Sequence, residues 1–108
     1  MIDFNKLEEK VINSFYDGNG DFFVKMFVDD KNKIMKGCLK EGASIGLHTH
    51  ETSSEIIFII SGTGKQIIDG QEEILKAGDC HYCKKGQSHT FINIGNEDLV
   101  FYAVVPQQ

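Results

Sequence analysis

Between residues 22 and 105 the chain never sustains a β-prone run longer than eight residues, and turn-forming Gly, Asp, Asn or Ser residues fall in most of the breaks. Such punctuation leaves no room for a helical bundle and prescribes a body of short strands. The runs lie at 22–28, 34–40, 43–50, 55–61, 65–68, 72–75, 81–83, 89–94 and 99–105. Asp69-Gly70 between two of them predicts a tight hairpin, because Gly and, less readily, Asp accept positive φ. Gly62-Thr63-Gly64 and Gly95-Asn96 break the pattern in the same way, and the single proline, Pro106, falls beyond the last run. Nine short strands at this spacing predict an all-β sandwich or barrel with no internal repeat.

Before the strands, Phe4, Leu7, Val11 and Phe15 recur at helical spacing, and Asn5 with Glu8 would make a capping box. A short helix over 6–14 is expected, ended by Asp17-Gly18-Asn19-Gly20. With 108 residues, one domain over 1–108 is expected. Runs 55–61 and 99–105 are apolar on both faces, more than one short helix can cover, so a homodimer is expected. The alternative is that the helix and the second sheet suffice.

The net charge of −5 and the scattered lysines give no basic, aromatic-bearing surface, so nucleic acid is not expected as a partner. The longest aliphatic or aromatic run, 56–60, is far too short for a membrane helix, and residues 1–10 hold neither a basic leader nor an apolar segment. A cytoplasmic protein is the expectation. Three cysteines fit a reducing compartment better than a disulfide framework. Cys80 and Cys83 form a C-x-x-C, but three residues apart on a strand they face opposite sides and read as small apolar residues.

The chemistry concentrates in the histidines. His48 and His50 are two apart, so a strand aims both imidazoles to one side with Cα atoms roughly 6.5–7 Å apart, close enough to converge on one ion. Glu55 opens the next run, and His89 sits on a later strand that must pack nearby. His-x-His alone is also what two exposed histidines beside a turn would show. The pattern gains weight because three of the four histidines and a carboxylate at the head of an apolar strand can reach one interior point. A buried glutamate without a cation would be costly or protonated. Imidazole and carboxylate suit Mn, Fe, Co, Ni, Cu or Zn rather than Ca or Mg.

These residues resemble the two motifs of the cupin superfamily. The first, G-x5-H-x-H-x3,4-E-x6-G, is matched by Gly42, His48, His50, Glu55 and Gly62. The second, G-x5-P-x-G-x2-H-x3-N, is matched by Gly78, Gly86, His89 and Asn93, with Lys84 in the proline position. The motifs occupy 42–62 and 78–93. The resemblance implies a double-stranded β-helix, or jelly-roll barrel, homodimers, and one divalent metal held by His48, His50, Glu55 and His89. Asn93 is expected to hold a turn or brace the site, and His81, sharing a face with Cys83, to pack or lie at the surface.

Three neutral imidazoles and one carboxylate leave a divalent ion about +1, and an octahedral ion keeps two open positions, which invites an anionic or chelating small molecule. By alternation Ile57, Ile59 and Phe91 face the same way as the ligands and are expected to line a substrate pocket. One reading is a metal-dependent enzyme of oxygenase, isomerase, decarboxylase or lyase type, a choice the fold does not make. No further residue is fixed in the pocket as a general base, Tyr102 and Lys25 being candidates that alternation does not place. The alternative is a non-catalytic small-molecule or metal-sensing module, and with no helix-turn-helix after the barrel, a stand-alone transcription factor is not expected.

Overall fold

All nine expected strands form, and a tenth precedes them. The computed structural model describes residues 1–108, in which the strands are β1 (Lys10–Asn13), β2 (Asp21–Val28), β3 (Asn32–Leu39), β4 (Ser44–Thr49), β5 (Glu55–Ser61), β6 (Thr63–Ile68), β7 (Gln71–Lys76), β8 (Cys80–Cys83), β9 (Ser88–Asn93) and β10 (Leu99–Pro106). A six-stranded sheet, ordered β1-β2-β3-β10-β5-β8, faces a four-stranded one, ordered β4-β9-β6-β7. Every pairing is antiparallel. This is an all-β jelly-roll barrel. Pro106 falls inside β10, as its last residue.

Alternation builds the core. On β5 Ile57 and Ile59 are buried while Phe58 and Ile60 are about half exposed, and on β10 Phe101 and Ala103 point inward while Tyr102 points out. The inward side chains of both sheets share one apolar cluster, in which Phe22 and Phe101 stack with ring centroids 5.9 Å apart. The β6–β7 hairpin turns on Asp69 and Gly70, both at positive φ, and the motif glycines Gly42, Gly62, Gly78 and Gly86 take φ of 76°, 88°, 94° and 90°. Lys84 does more than replace a proline, for its N–H donates to Gln87 Oε1 at 2.8 Å, a bond proline lacks.

The expected helix over 6–14 does not form. Phe4–Lys6 make a single 3-10 turn capped by Asp3, whose side chain accepts from Asn5 N–H. The chain then adds β1 to the edge of the large sheet, pairing Lys10 to Asn13 with Val24 to Asp21. Four apolar residues at helical spacing bury nothing here that the edge strand does not, and the β2 edge offers ladder hydrogen bonds that an isolated short helix must replace by itself. Phe4 packs against Tyr102, with centroids 5.5 Å apart.

Between β1 and β2 the backbone is strained. Ser14, Tyr16 and Asp17 all hold positive φ, of 52°, 52° and 62°, in a region costly for side-chain-bearing residues. This strap lies directly on β4. A Cβ on Gly46 would sit 1.9 Å from the Tyr16 carbonyl oxygen, and one on Gly18 would sit 2.2 Å from that of Ser44. Two glycines thus permit a backbone-to-backbone approach that no other residue pair allows.

Candidate metal centre

The four residues come together through one irregularity. In the β4–β9 ladder Ile45 pairs with Phe91 and His48 pairs with His89, so three residues of β4 are spanned by two steps of β9. The surplus residue makes a β-bulge at Gly46 and Leu47. It lets Ile45 and His48, three apart and on opposite faces of any regular strand, both point into the barrel. His50 follows two residues later, Glu55 enters from β5 in the opposite sheet, and His89 projects from β9.

One donor atom from each of His48, His50, Glu55 and His89 lies within 4.8 Å of the others. The Nε2 atoms of His50 and His89 are 3.1 Å apart, those of His89 and His48 3.0 Å. Glu55 Oε1 stands 3.0 Å from His89, 3.2 Å from His50 and 4.0 Å from His48. Burial raises the Glu55 carboxyl, but the imidazoles of His48, His50 and His89 outweigh it and hold the group well below the ordinary carboxylate value. Burial likewise lowers the His89 imidazole, with Glu55 opposing and His48 and His50 assisting. Anionic glutamate and neutral imidazole are the forms that bind a metal.

The far side of each ring shows that the cluster fits a cation. His48 Nδ1 lies 2.8 Å from the Gly46 carbonyl, which can only accept. In its neutral form His48 therefore carries its proton on Nδ1 and turns a bare Nε2 lone pair inward. His50 Nδ1 meets Ser53 Oγ at 3.0 Å, and His89 Nδ1 meets His81 Nε2 at 3.1 Å. The His48 lone pair and the Glu55 carboxylate thus face one point that the Nε2 atoms of His50 and His89 also reach, an arrangement that a positive ion would satisfy. Three nitrogens and an oxygen suit a first-row transition ion.

The cluster opens onto a cavity of about 380 Å³. Ile57 and Phe91 line it, as do Phe22, Met26, Met35 and Ile45, while Asp29, Asp30, Glu51 and Lys33 also belong to its wall. Ile59, expected beside Ile57, is buried in the core and is not among the lining residues, because the cavity ends one inward position short of it. Tyr102 and Lys25 do not reach the cavity either. Tyr102 is on the outer face of the large sheet, near Lys36. In their place stands Tyr16, unforeseen from sequence, whose ring stacks on His48 at 4.2 Å and 10°. Only the Asp17-Gly18-Asn19-Gly20 turn hinted that this segment would fold back.

His81 is buried and bridges inward to His89 and outward to Glu73. Asn93 holds a turn, donating to Leu39 O and Glu97 O and accepting from Gly95 N–H. All three cysteines are free thiols. Cys80 is exposed and Cys83 buried, on opposite faces of β8.

Comparison with known proteins bears on the same residues. The family model described as "Cupin domain" matches residues 35–105, a stretch that includes all four donors. The oxalate-binding protein of Thermotoga maritima is 43% identical over 67 residues, covering 62% of this chain and 55% of that protein. The uncharacterized protein MJ1618 of Methanocaldococcus jannaschii is 33% identical over 69 residues, covering 64% and 55%. The chain thus spans about half the length of these two relatives. A crystal structure from Thermotoga maritima, described as a predicted oxalate decarboxylase, superposes with a TM-score of 0.94 at 29% identity, covering 100% of this chain and 99% of that one.

Proposed function

This chain belongs to the cupin family, and we propose that it is a metal-dependent enzyme acting on a small anionic or chelating organic molecule. The observation that carries the reading is the convergence of four donor atoms at the head of an apolar-walled cavity. His48, His50, Glu55 and His89 would hold one divalent ion of the Mn, Fe, Co, Ni, Cu or Zn group. Bound there, such an ion supplies Lewis-acid polarisation of a carbonyl or hydroxy-acid oxygen, or O2 chemistry where the metal is redox-active.

The chain's own residues shape the rest. Glu55 cancels one positive charge of the ion, and what remains attracts an anion. The chain contains no arginine, so no guanidinium fork is available for carboxylates, and Lys33 is the one lysine in the cavity wall. Phe22, Ile57 and Phe91 exclude water around the ligand, while the stacked Tyr16–His48 pair offers it a flat face. The names of the Thermotoga relatives make oxalate the first dicarboxylate to try. A cavity of 380 Å³ also admits larger keto-acids and sugar derivatives, so oxygenase, isomerase, decarboxylase and lyase chemistry all remain within the proposal.

A second reading, a non-catalytic binding or sensing module, is favoured by one observation. Neither Tyr102 nor Lys25 reaches the cavity to serve as a general base. Incubating metallated protein with dicarboxylates, keto-acids and sugar phosphates separates the readings. Turnover or oxygen uptake supports the enzyme, and tight binding without product supports the module. Elemental analysis of wild type beside His50→Ala and Glu55→Ala tests the metal itself. Stoichiometric metal in wild type alone, with a higher melting temperature, is expected; a metal-free wild type melting like both variants defeats the proposal.

A homodimer is part of this reading. Phe58, Ile60, Tyr82 and Tyr102 expose apolar surface on the outer face of the large sheet, with Phe4 packed against Tyr102. Sedimentation at high micromolar concentration should give a dimer mass. Three unpaired thiols support a cytoplasmic setting.

A further inference from the structure

The three imidazoles of the centre are braced differently. His48 leans on a backbone carbonyl and His50 on a serine hydroxyl, both neutral groups. His89 leans on a second histidine, and that histidine on a carboxylate: His89 Nδ1 to His81 Nε2 is 3.1 Å, and His81 Nδ1 to Glu73 Oε1 is 2.7 Å. The His81 and His89 rings are nearly coplanar, 15° apart, with centroids separated by 5.3 Å. Since their facing nitrogens are only 3.1 Å apart, the rings lie end to end rather than face to face, the geometry of a linear hydrogen-bonded relay.

Its polarity follows from the acceptor at its end. A carboxylate can only accept, so His81 Nδ1 carries a proton and donates to Glu73. In its neutral form His81 is then bare at Nε2, which accepts from His89 Nδ1–H. That fixes the His89 tautomer and leaves Nε2 free to face the other donors. Three elements set the chain up. β9 contributes His89, the edge strand β8 contributes His81 opposite Ile57 of β5, and β7 contributes Glu73. His81 and His89 are almost wholly buried, whereas the Glu73 side chain is 47% exposed. Charge at the surface therefore connects to the centre through a dry path, in which hydrogen bonds polarise one another.

Resting on the metal reading above, we infer that Glu73 and His81 are positioning residues that strengthen His89 as a donor, so that a surface carboxylate tunes the affinity and ligand field of the metal. Outer-shell partners of this kind act by fixing the ring and raising its basicity. His48 and His50, braced by uncharged groups, receive no such support.

The test is a chelator-competition titration of Zn(II), with the Co(II) absorption spectrum as a second readout. It compares wild type, Glu73→Gln, His81→Phe and the control Glu72→Gln. Glu72 neighbours Glu73 on β7, is exposed and pairs with Lys65, so its variant removes the same charge from the same strand without touching the relay. Loss of an outer-shell partner weakens metal binding about 10–100-fold, the range expected for His81→Phe, and about 3–10-fold for the more remote Glu73→Gln. The Co(II) bands should shift in both, while Glu72→Gln keeps the wild-type affinity and spectrum. Metal-free Glu73→Gln should melt with the metal-free wild type, since Glu73 is half exposed. Wild-type affinity and spectrum in Glu73→Gln, or equal losses in Glu73→Gln and Glu72→Gln, would overturn the relay while leaving the metal reading intact. A wild type that binds neither Zn(II) nor Co(II) would overturn both.

Discussion

The His48 and His89 flanks of the centre solve one problem in opposite ways. His48 is held from a strap whose backbone is strained at Ser14, Tyr16 and Asp17, under a half-exposed tyrosine ring. His89 is held from within, on a regular strand, by a buried relay. Strain and exposure suit a side that would meet a ligand, where movement is useful. Burial and full hydrogen bonding suit a side that would hold an ion still. On the proposed metal-dependent function, the contrast would put recognition on the first flank and metal affinity on the second.

The largest effect expected on the recognition flank comes from Gly46→Ala. Its Cβ would collide with the Tyr16 backbone oxygen, and lifting the strap should cost about 3 kcal/mol, lowering the melting temperature by more than about 10 °C. A variant that melts with wild type would show that the strap is not seated as described. Removing the Tyr16 ring is a smaller change. Tyr16→Gly also relieves the positive φ, so melting should hold, while affinity for a cavity ligand such as oxalate falls about two- to tenfold and Zn(II) affinity stays the same. Loss of Zn(II) binding in this variant would erase the distinction between the flanks.

Protons probe the holding side in the metal-free protein. His89 sits below the ordinary imidazole value when folded, so on acidification the unfolded chain takes up its proton first. Stability should accordingly decline as pH falls through about 6.5. Glu55, also depressed, adds a second decline below about 4.3. Melting that is flat from pH 8 to pH 5, followed by calorimetry, would contradict the neutral burial of His89. The mildest probe is alkylation at pH 8. Burial first, then Glu55 and Asp69, push the Cys83 thiol up to about 12, so it should stay unmodified while exposed Cys80 reacts. Equal labelling by mass spectrometry would show that β8, which carries His81, opens readily.

Most of this architecture was readable in the chain. Alternation and turn residues located nine strands to within a few residues, because each run must present one face to a core. The four donors followed from residue chemistry and the two motifs. The N-terminal segment misled, because four apolar residues spaced for a helix cannot reveal that a sheet edge lies within reach of Lys10 to Asn13. His81 was placed on the correct face with Cys83, yet alternation gives a direction and not a neighbour, so its contacts with His89 and Glu73 stayed hidden. The bulge did leave a trace. Ile45 and His48 both need the interior and stand three apart, which no regular strand satisfies.

That surplus residue makes β4 unevenly tolerant of changes in length. A contraction at Leu47, which leaves Gly46 beneath the Tyr16 carbonyl, merely converts an irregular ladder into a regular one, and both imidazoles keep their inward aim, whereas deleting Thr49 turns His50 out toward solvent. A one-codon deletion scan along residues 44–50 should therefore pass through a permissive notch before reaching a lethal step, and the boundary between them would mark where scaffold ends and chemistry begins.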